Sequence, residues 1–210
     1  MRGRARRALF VARIRRTAKR VGSTVELHLE PDLEVGREIE VKVMPGTHTY
    51  VRLGPGSRIE DRVMLMLYGG RLEGGPRIGF RRDVIVNVTG LLRMDGDNTL
   101  SWNAILHCSN DVHLEEMAGV AEQATVADSS HFFTTPDEHF WHNVRKGSVR
   151  IGRNTWICPK VTVTRNADIG SHCIVAAGSV VIGTVPDGHM ASGVPATCKP
   201  MPLPWRATAT

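Results

Sequence analysis

Stepping along the chain by six from Ile151 meets Ile151, Ile157, Val163, Ile169, Val175 and Val181, an aliphatic residue each time. Four places after each stands a small or β-branched residue: Thr155, Val161, Ala167, Cys173, Ser179 and Val185. The phase recurs upstream in Leu114, Val120 and Val126, with Ala118, Ala124 and Ser130, and again in Leu53, Ile59 and Leu65, with Ser57, Val63 and Gly69. Neither an α-helix nor a half-buried strand has this period. A repeat of six is the signature of a parallel β-helix, in which each hexad makes one short strand and one corner. The aliphatic residue then points into a narrow core, the small residue fits the corner, and each coil buries its face only against its neighbours. A β-sandwich with coincidental spacing is the alternative, and would alternate with period two between its turns.

The interruptions divide the chain. Residues 132–148 carry aromatics, histidines and charges but no hexad, which predicts a loop extruded from the solenoid; loops of this length in compact domains are usually functional. Met94-Asp95-Gly96-Asp97-Asn98, within Leu91–Leu100, predicts a smaller excursion. Val25, Leu27 and Leu29, then Ile39, Val41 and Val43, alternate with period two and predict strands or irregular first coils that cap the end. Ala5, Ala8, Leu9, Ala12 and Ala18 recur at helical spacing and predict an amphipathic helix ending at Gly22. Pro200, Pro202 and Pro204 enforce an extended tail through Trp205. The expected division is a helical arm over 1–22, a cap of strands over 23–52, a β-helix over 53–199 and a tail over 200–210.

Charge changes this picture in one place. Of the 27 Lys and Arg, nine lie in Met1–Gly22, which holds no acid, so the remainder of the chain carries 18 basic against 21 acidic residues. A solvated or oligomer-packing helix, an arm on an anionic membrane surface and a mitochondrial-type presequence all share that composition. Nucleic-acid binding would rest on charge alone, and an aromatic content of 5% leaves little for base stacking. The longest nearly apolar stretch, Cys173–Gly183, is short of a membrane span. Four scattered cysteines without a C-x-x-C pair point to reduced thiols and a cytoplasmic setting, at the inner face of the membrane if the arm binds there.

Asn154-Thr155-Trp156-Ile157, Val175-Ala176-Ala177-Gly178-Ser179-Val180-Val181, Val185-Pro186-Asp187-Gly188 and Ser192-Gly193-Val194-Pro195-Ala196 together resemble the C-terminal run of the hexapeptide-repeat acyltransferases. That family includes the galactoside, maltose and xenobiotic O-acetyltransferases and the colanic-acid and O-antigen acetyltransferases. The resemblance covers roughly residues 53–199. It implies an all-β fold, a left-handed parallel β-helix, and a homotrimer with sites between subunits. It also implies acyl transfer from acetyl-CoA to a hydroxyl, without a metal, and a sugar or lipid-linked sugar as the acceptor we prefer.

Such chemistry needs a base, because a thioester is already activated and an acceptor hydroxyl can attack it once a neutral imidazole removes the proton. His131, after Val126-Ala127-Asp128-Ser129-Ser130 at the mouth of the extruded loop, stands where similar enzymes carry their catalytic histidine. Asp128 is near enough in sequence to orient that imidazole, and is equally a turn former. By the same resemblance Trp156, Ala177, Gly178 and Ser179 line the pantetheine path, Pro195 and Ala196 lie near the adenine, Lys199 meets a phosphate and Asn103 contacts the acceptor. Trp156 also suits a simple coil cover, and Ala177 and Gly178 simple corners. Where relatives carry basic residues this chain has Ile182-Gly183-Thr184 and Thr197.

Two other functions fit the same fold. Nine histidines raise a zinc site like that of gamma-class carbonic anhydrases: three hexads, one full coil, separate His113 from His131, and His107 shares their hexad position. A binding or scaffold solenoid without catalysis is the third.

Overall fold

In the computed structural model, whose described residues are 2–202, the chain winds a left-handed parallel β-helix of three faces closed at one end by a helix. Strands recur every third position in three sheets of eight, nine and seven strands. The first face starts at Thr24–Leu29 and ends at Thr184–Val185; the second runs from Glu34–Val35 to His189–Gly193; the third runs from Glu40–Val43 to Val180–Val181. The hexads sit as read: Ile151, Ile157, Val163, Ile169 and Val175 are fully buried, each stacked on its equivalent in the next coil. Three places after each comes a left-handed residue, Asn154, Lys160, Asn166, His172 and Gly178, with φ between 52° and 71°. That conformation turns the corner, and the small residue one place later fills it.

The coils are not uniform. Thr24 lies beside His48, Tyr50 beside Arg71, Leu91 beside Asp111, Arg150 beside Asp168 and Asp168 beside Thr184, so the coils shorten along the chain as the solenoid narrows. The β-helix begins at Thr24, where the sequence pattern suggested a separate cap. The period-two stretches are the long strands of a wide first coil, with two or three inward side chains each. No excursion leaves the body at Leu91–Leu100: Leu91–Met94 and Thr99–Leu100 are regular strands, and the polar run is one corner. Asn98, fully buried, accepts from the Gly96 amide and donates to the carbonyls of Glu115 and Ala118, taking the place of a small corner residue.

The helix α1 (Arg2–Arg20) forms, but it is part of the core and buries a different face from the expected one: Ala5, Ala8, Leu9 and Ala12 are exposed, and only Ala18 of that stripe is covered. It packs across the open end of the first coil against strands of all three faces, burying Phe10, Ile14 and Ala18. Arg7 and Arg13 donate to the carbonyls of Leu29 and Ile39 on that coil. The other end is covered by an antiparallel pair, His189–Gly193 with Ala196–Pro200, and by Met201, 4% exposed. The rest of the expected tail, Leu203, Pro204 and Trp205 included, lies outside the described residues. No described helix is long and apolar enough to cross a membrane.

If α1 is a lid on the core, Ile14→Ala should cost about 2–4 kcal/mol, a deletion of buried aliphatic volume. Leu9→Ala, on the exposed side, should change stability by less than about 0.5 kcal/mol. Thermal or urea melts of the two variants decide this, and equal melting would return α1 to the status of a loose arm.

Candidate active site

The extruded segment is an antiparallel hairpin, Ser129–Phe132 with Asn143–Lys146, rather than an irregular loop. It leaves between the third face and the first. Leu106 pairs with Val126 before it, and the ladder resumes after it with Asp111 beside Ser148. Removing a corner from the stack orphans the amides of the coil beneath, and Asp128 supplies what they lose. Its fully buried carboxylate accepts from the backbone amides of Ser109, Asn110 and Asp111 at 2.7, 2.6 and 2.9 Å. The Gly147 amide closes the neck onto the Asp128 carbonyl at 2.8 Å, and the Asn110 side chain holds the Gly147 carbonyl. A Cβ on Gly147 would lie 2.0 Å from the Asn166 side-chain oxygen, so a larger residue at the neck would displace the Asn166 and Arg165 side chains.

His131 is held by other groups than the one expected to orient it. Its Nδ1 lies 3.2 Å from the Phe140 carbonyl, and its ring meets Trp141 edge-on at 4.8 Å and Phe140 edge-on at 5.7 Å. A carbonyl only accepts, so Nδ1 carries a proton, and of the two neutral tautomers this bond selects the one with its lone pair on Nε2. The expected Asp128–His131 pair is therefore absent from the hydrogen bonds: the carboxylate is occupied by the corner amides. The far end of the hairpin is tied by Glu138, whose carboxyl the Thr134 hydroxyl and amide hold below the usual range, with the Asn143 side chain adding to this.

Two further groups lie near the neck: His107, named from the sequence only as a candidate zinc ligand, and Cys108. His107, half-buried on the third face, lies beside Ala127, and burial pushes its imidazole toward the neutral form against the opposing charge of Asp128. Its neighbour Cys108 would complete a cysteine–histidine–aspartate set by sequence. The thiol instead lies in the core, and burial pushes it up to about 12. No thiolate forms there at neutral pH, which removes a covalent acyl-cysteine route.

The histidine triplet does not assemble within the chain. The coil here is longer than three hexads, so His113 stacks between Arg93 and Arg150 and bonds Asp95, while His107 stacks between Asn87 and Ala127 and His131 stands out on the hairpin opposite Val144. Among the described residues no three His, Cys, Asp or Glu side chains are grouped to hold a metal ion.

The other candidates lie on the corner between the second and third faces. A ladder of amide-to-carbonyl bonds, Gln123 to Trp102, Lys160 to Glu122 and Gly178 to Pro159, stacks that corner through four coils. It aligns exposed Asn103 with exposed Ala177 and Gly178, three coils or about 14 Å apart. Ser179 is buried and accepts from the Gly193 amide, which fixes the Pro195–Ala196 turn against the Gly178 corner. Lys199 is exposed, opposite Met190 on the terminal pair. Trp156, 46% exposed, lies flat on the second face because Gly119 beneath it has no side chain; a Cβ there would sit 2.8 Å from the indole.

His131 and the corner residues Asn103, Ala177 and Gly178 thus occupy opposite edges of the third face, while Trp156 and Lys199 lie on the second. Outward positions on that face carry no formal charge from the second coil onward: Met64 and Met66, Ile85 and Asn87, Ile105 and His107, Thr125 and Ala127, Thr162, Val180. The first face is laced with ion pairs, including Arg71–Glu73, Arg93–Asp111 and Arg150–Asp168. Two grooves of the single chain flank α1 and the first coils, far from His131.

A family profile described as bacterial transferase hexapeptide (six repeats) matches residues 148–183. Over 193 residues the chain is 29% identical to a probable acetyltransferase of Mycobacterium tuberculosis, covering 90% of this chain and 52% of that protein. It is 27% identical over 123 residues to WbbJ of Escherichia coli, provisionally named a lipopolysaccharide biosynthesis O-acetyl transferase, covering 50% of this chain and 63% of WbbJ. The chain thus spans about half the length of the first relative and under two thirds of the second. A mutant of AntD, an N-acyltransferase from Bacillus cereus, in complex with dTDP and coenzyme A, superposes with a TM-score of 0.52 at 18% identity, over 82% of this chain and 86% of that one. A second AntD mutant, with dTDP-4-amino-4,6-dideoxyglucose and coenzyme A, gives 0.55 at 15% identity, over 83% and 82%. At these identities the structural likeness is one of fold.

Asp128→Ala leaves three corner amides unpaired in a buried neck and should cost about 3 kcal/mol. A melt lowered by roughly 6–12 °C, with faster proteolytic cutting of the hairpin, is the expected result. At neutral pH Cys108 should resist iodoacetamide in the folded protein, and Cys108→Ala should keep its activity.

Proposed function

As a member of the hexapeptide-repeat acyltransferases, this chain, we propose, moves an acyl group from a CoA thioester to a hydroxyl of a sugar or polysaccharide precursor, with His131 as the base. The observation that carries the reading is the bond from His131 Nδ1 to the Phe140 carbonyl, which in the neutral ring turns the Nε2 lone pair outward on an exposed hairpin. The acceptor oxygen attacks the thioester carbonyl carbon as its proton passes to Nε2. The tetrahedral intermediate then expels the CoA sulfur, and the imidazolium returns the proton to it. Such general-base help is typically worth about 10²–10⁴-fold.

The CoA side falls to the opposite edge of the third face and the second face beyond it: Trp156, Ala177 and Gly178 along the pantetheine, with Ser179 buried beneath them and holding the Gly193 amide, Pro195 and Ala196 toward the adenine, Lys199 toward a phosphate. Asn103, lower on the same corner, is the acceptor contact. Because His131 and these residues lie on opposite edges of one uncharged face, the site closes only when copies pack around that face, His131 of one copy meeting the Gly178 corner of the next. A homotrimer satisfies this. Depletion of charge at the centre of a patch is typical of such interfaces.

Millimolar acetyl-CoA, at about 100 times its dissociation constant, should stabilise the protein by roughly 2.7 kcal/mol in a thermal melt. His131→Ala should keep that shift and lose transfer by about 10²-fold or more. Full activity in the variant removes the base assignment; absence of any shift in the native protein removes the CoA reading and leaves a binding solenoid.

A further inference from the structure

Along the solenoid, arginines are neutralised by a carboxylate of the same or the next coil: Arg62 by Asp83, Arg77 by Asp97, Arg93 by Asp111, Arg150 by Glu115 and Asp168, Arg153 by Glu116. The helix α1 departs from this pattern. Among the described residues, Arg6, Arg7, Arg13, Arg15, Arg16, Lys19 and Arg20 form no ion pair, and only Arg7 and Arg13 are spent on backbone carbonyls. Seven cations are thus gathered on one element of a chain whose remaining sequence carries more acid than base.

The placement of α1 decides what these cations can meet. Its apolar stripe of Phe10, Ile14 and Ala18 is consumed by the core, so it cannot insert an apolar face into a bilayer. Outward it shows Arg6, Arg13, Arg15, Arg16, Lys19 and Arg20 around a single large apolar residue, Leu9, 70% exposed. Because α1 touches strands of all three faces of the first coil, it lies across the solenoid end, and its charges form a blunt cationic face there. Beside it runs a groove of about 910 Å³ between α1 and the first coil, floored by Leu9, Val35 and Ile39 and walled by Arg13, Arg16 and Arg37, with Glu38 and Glu40 on its far rim.

We propose that this end of the solenoid docks on an anionic phospholipid bilayer, α1 lying in the headgroup plane with lipid phosphates as the counterions of its unpaired cations. The warrant is charge complementarity: an unneutralised cationic face with one apolar anchor suits a surface that offers many phosphates in a plane. Binding is electrostatic and confined to the headgroups, since the stripe that would insert is already buried. The solenoid then stands on its end. Glu40 stacks below Met64, Ile85, Ile105 and Thr125, so the hairpin neck lies four coil spacings, about 20 Å, above the first coil. This docking does not depend on acyl transfer.

The test is co-sedimentation of the full chain with vesicles of phosphatidylcholine alone and of phosphatidylcholine with phosphatidylglycerol, across a range of salt. Binding is expected only to the anionic vesicles, falling as salt rises. Replacing Arg15, Arg16, Lys19 and Arg20 together by Gln, all exposed, should leave the melting temperature unchanged and weaken partitioning about fivefold for each charge removed. Failure of the folded native protein to bind anionic vesicles at low salt overturns the proposal. So does equal binding to neutral vesicles, or unchanged binding by the folded quadruple variant. Release by pyrophosphate at matched ionic strength would make the groove a soluble-phosphate site instead, and release by duplex DNA at equal phosphate would make the face a nucleic-acid site. Transfer to a soluble acceptor is unaffected by any of these outcomes.

Discussion

Between its first and last coils, each strand of the solenoid wall owes its backbone partners to the equivalent strand one coil above and one below. A coil is therefore tolerated only if it delivers its three strands back into register, whatever its length. That single requirement explains why the coils shorten from the first to the last while the inward column stays continuous. It also explains why a hairpin could be thrown out between Asp128 and Gly147. The ladder resumes at once with Asp111 beside Ser148, and the corner amides left without a carbonyl are satisfied by one buried carboxylate. A buried, unpaired amide costs about as much as a lost hydrogen bond, so the neck without Asp128 would be an open fault in the stack.

The ladder uses only backbone, which leaves outward side chains free to give each surface its own character. The first face and the corners are neutralised by ion pairs between adjacent coils, each worth little alone in water. The third face has shed charge and keeps Met, Ile, Val and Thr. The helical end keeps charge that, among the described residues, no carboxylate pairs. On the proposed reading these are a solvent face, an assembly face and a docking face, and none could be exchanged without disturbing the others.

The hexads from Ile151 onward were legible because each places one aliphatic residue against a narrow core and one small residue in a corner, a period no other element has. Coil length was not legible. In the longer middle coils some strands carry two inward residues, such as Leu106 and Cys108, and the added length breaks the count of three hexads that would have stacked His113 with His131. Asp128 was marked for its nearness to His131, yet its role follows from amides on the coil below, far back along the chain, which no local pattern displays. The helix was legible but its buried face was not: of the stripe Ala5, Ala8, Leu9, Ala12 and Ala18 only Ala18 is buried, and the face set against the open end of the first coil is Phe10, Ile14 and Ala18. The lack of charge on the third face could have been found by reading the outward positions alone, once the three faces were separated.

The division of the candidate site follows from the same geometry. A parallel β-helix has no cleft of its own: its interior is filled by side chains, and its faces are flat. Grooves that hold a ligand must therefore come from something added to it, as α1 adds one at the first coil. At the other candidate site the additions are a hairpin on one edge of the third face and a tight Gly178–Pro195 corner on the other, with an uncharged sheet between. Neither edge encloses anything alone. Two copies packed on that sheet would put the His131 imidazole, held at Nδ1, opposite a corner stripped of side chains, excluding water from the space between, where a thioester and a hydroxyl could meet. Assembly would then build the site as well as stabilise the fold, and mutations at Ile85 or Ile105, far from His131 in the chain, would act on catalysis through it.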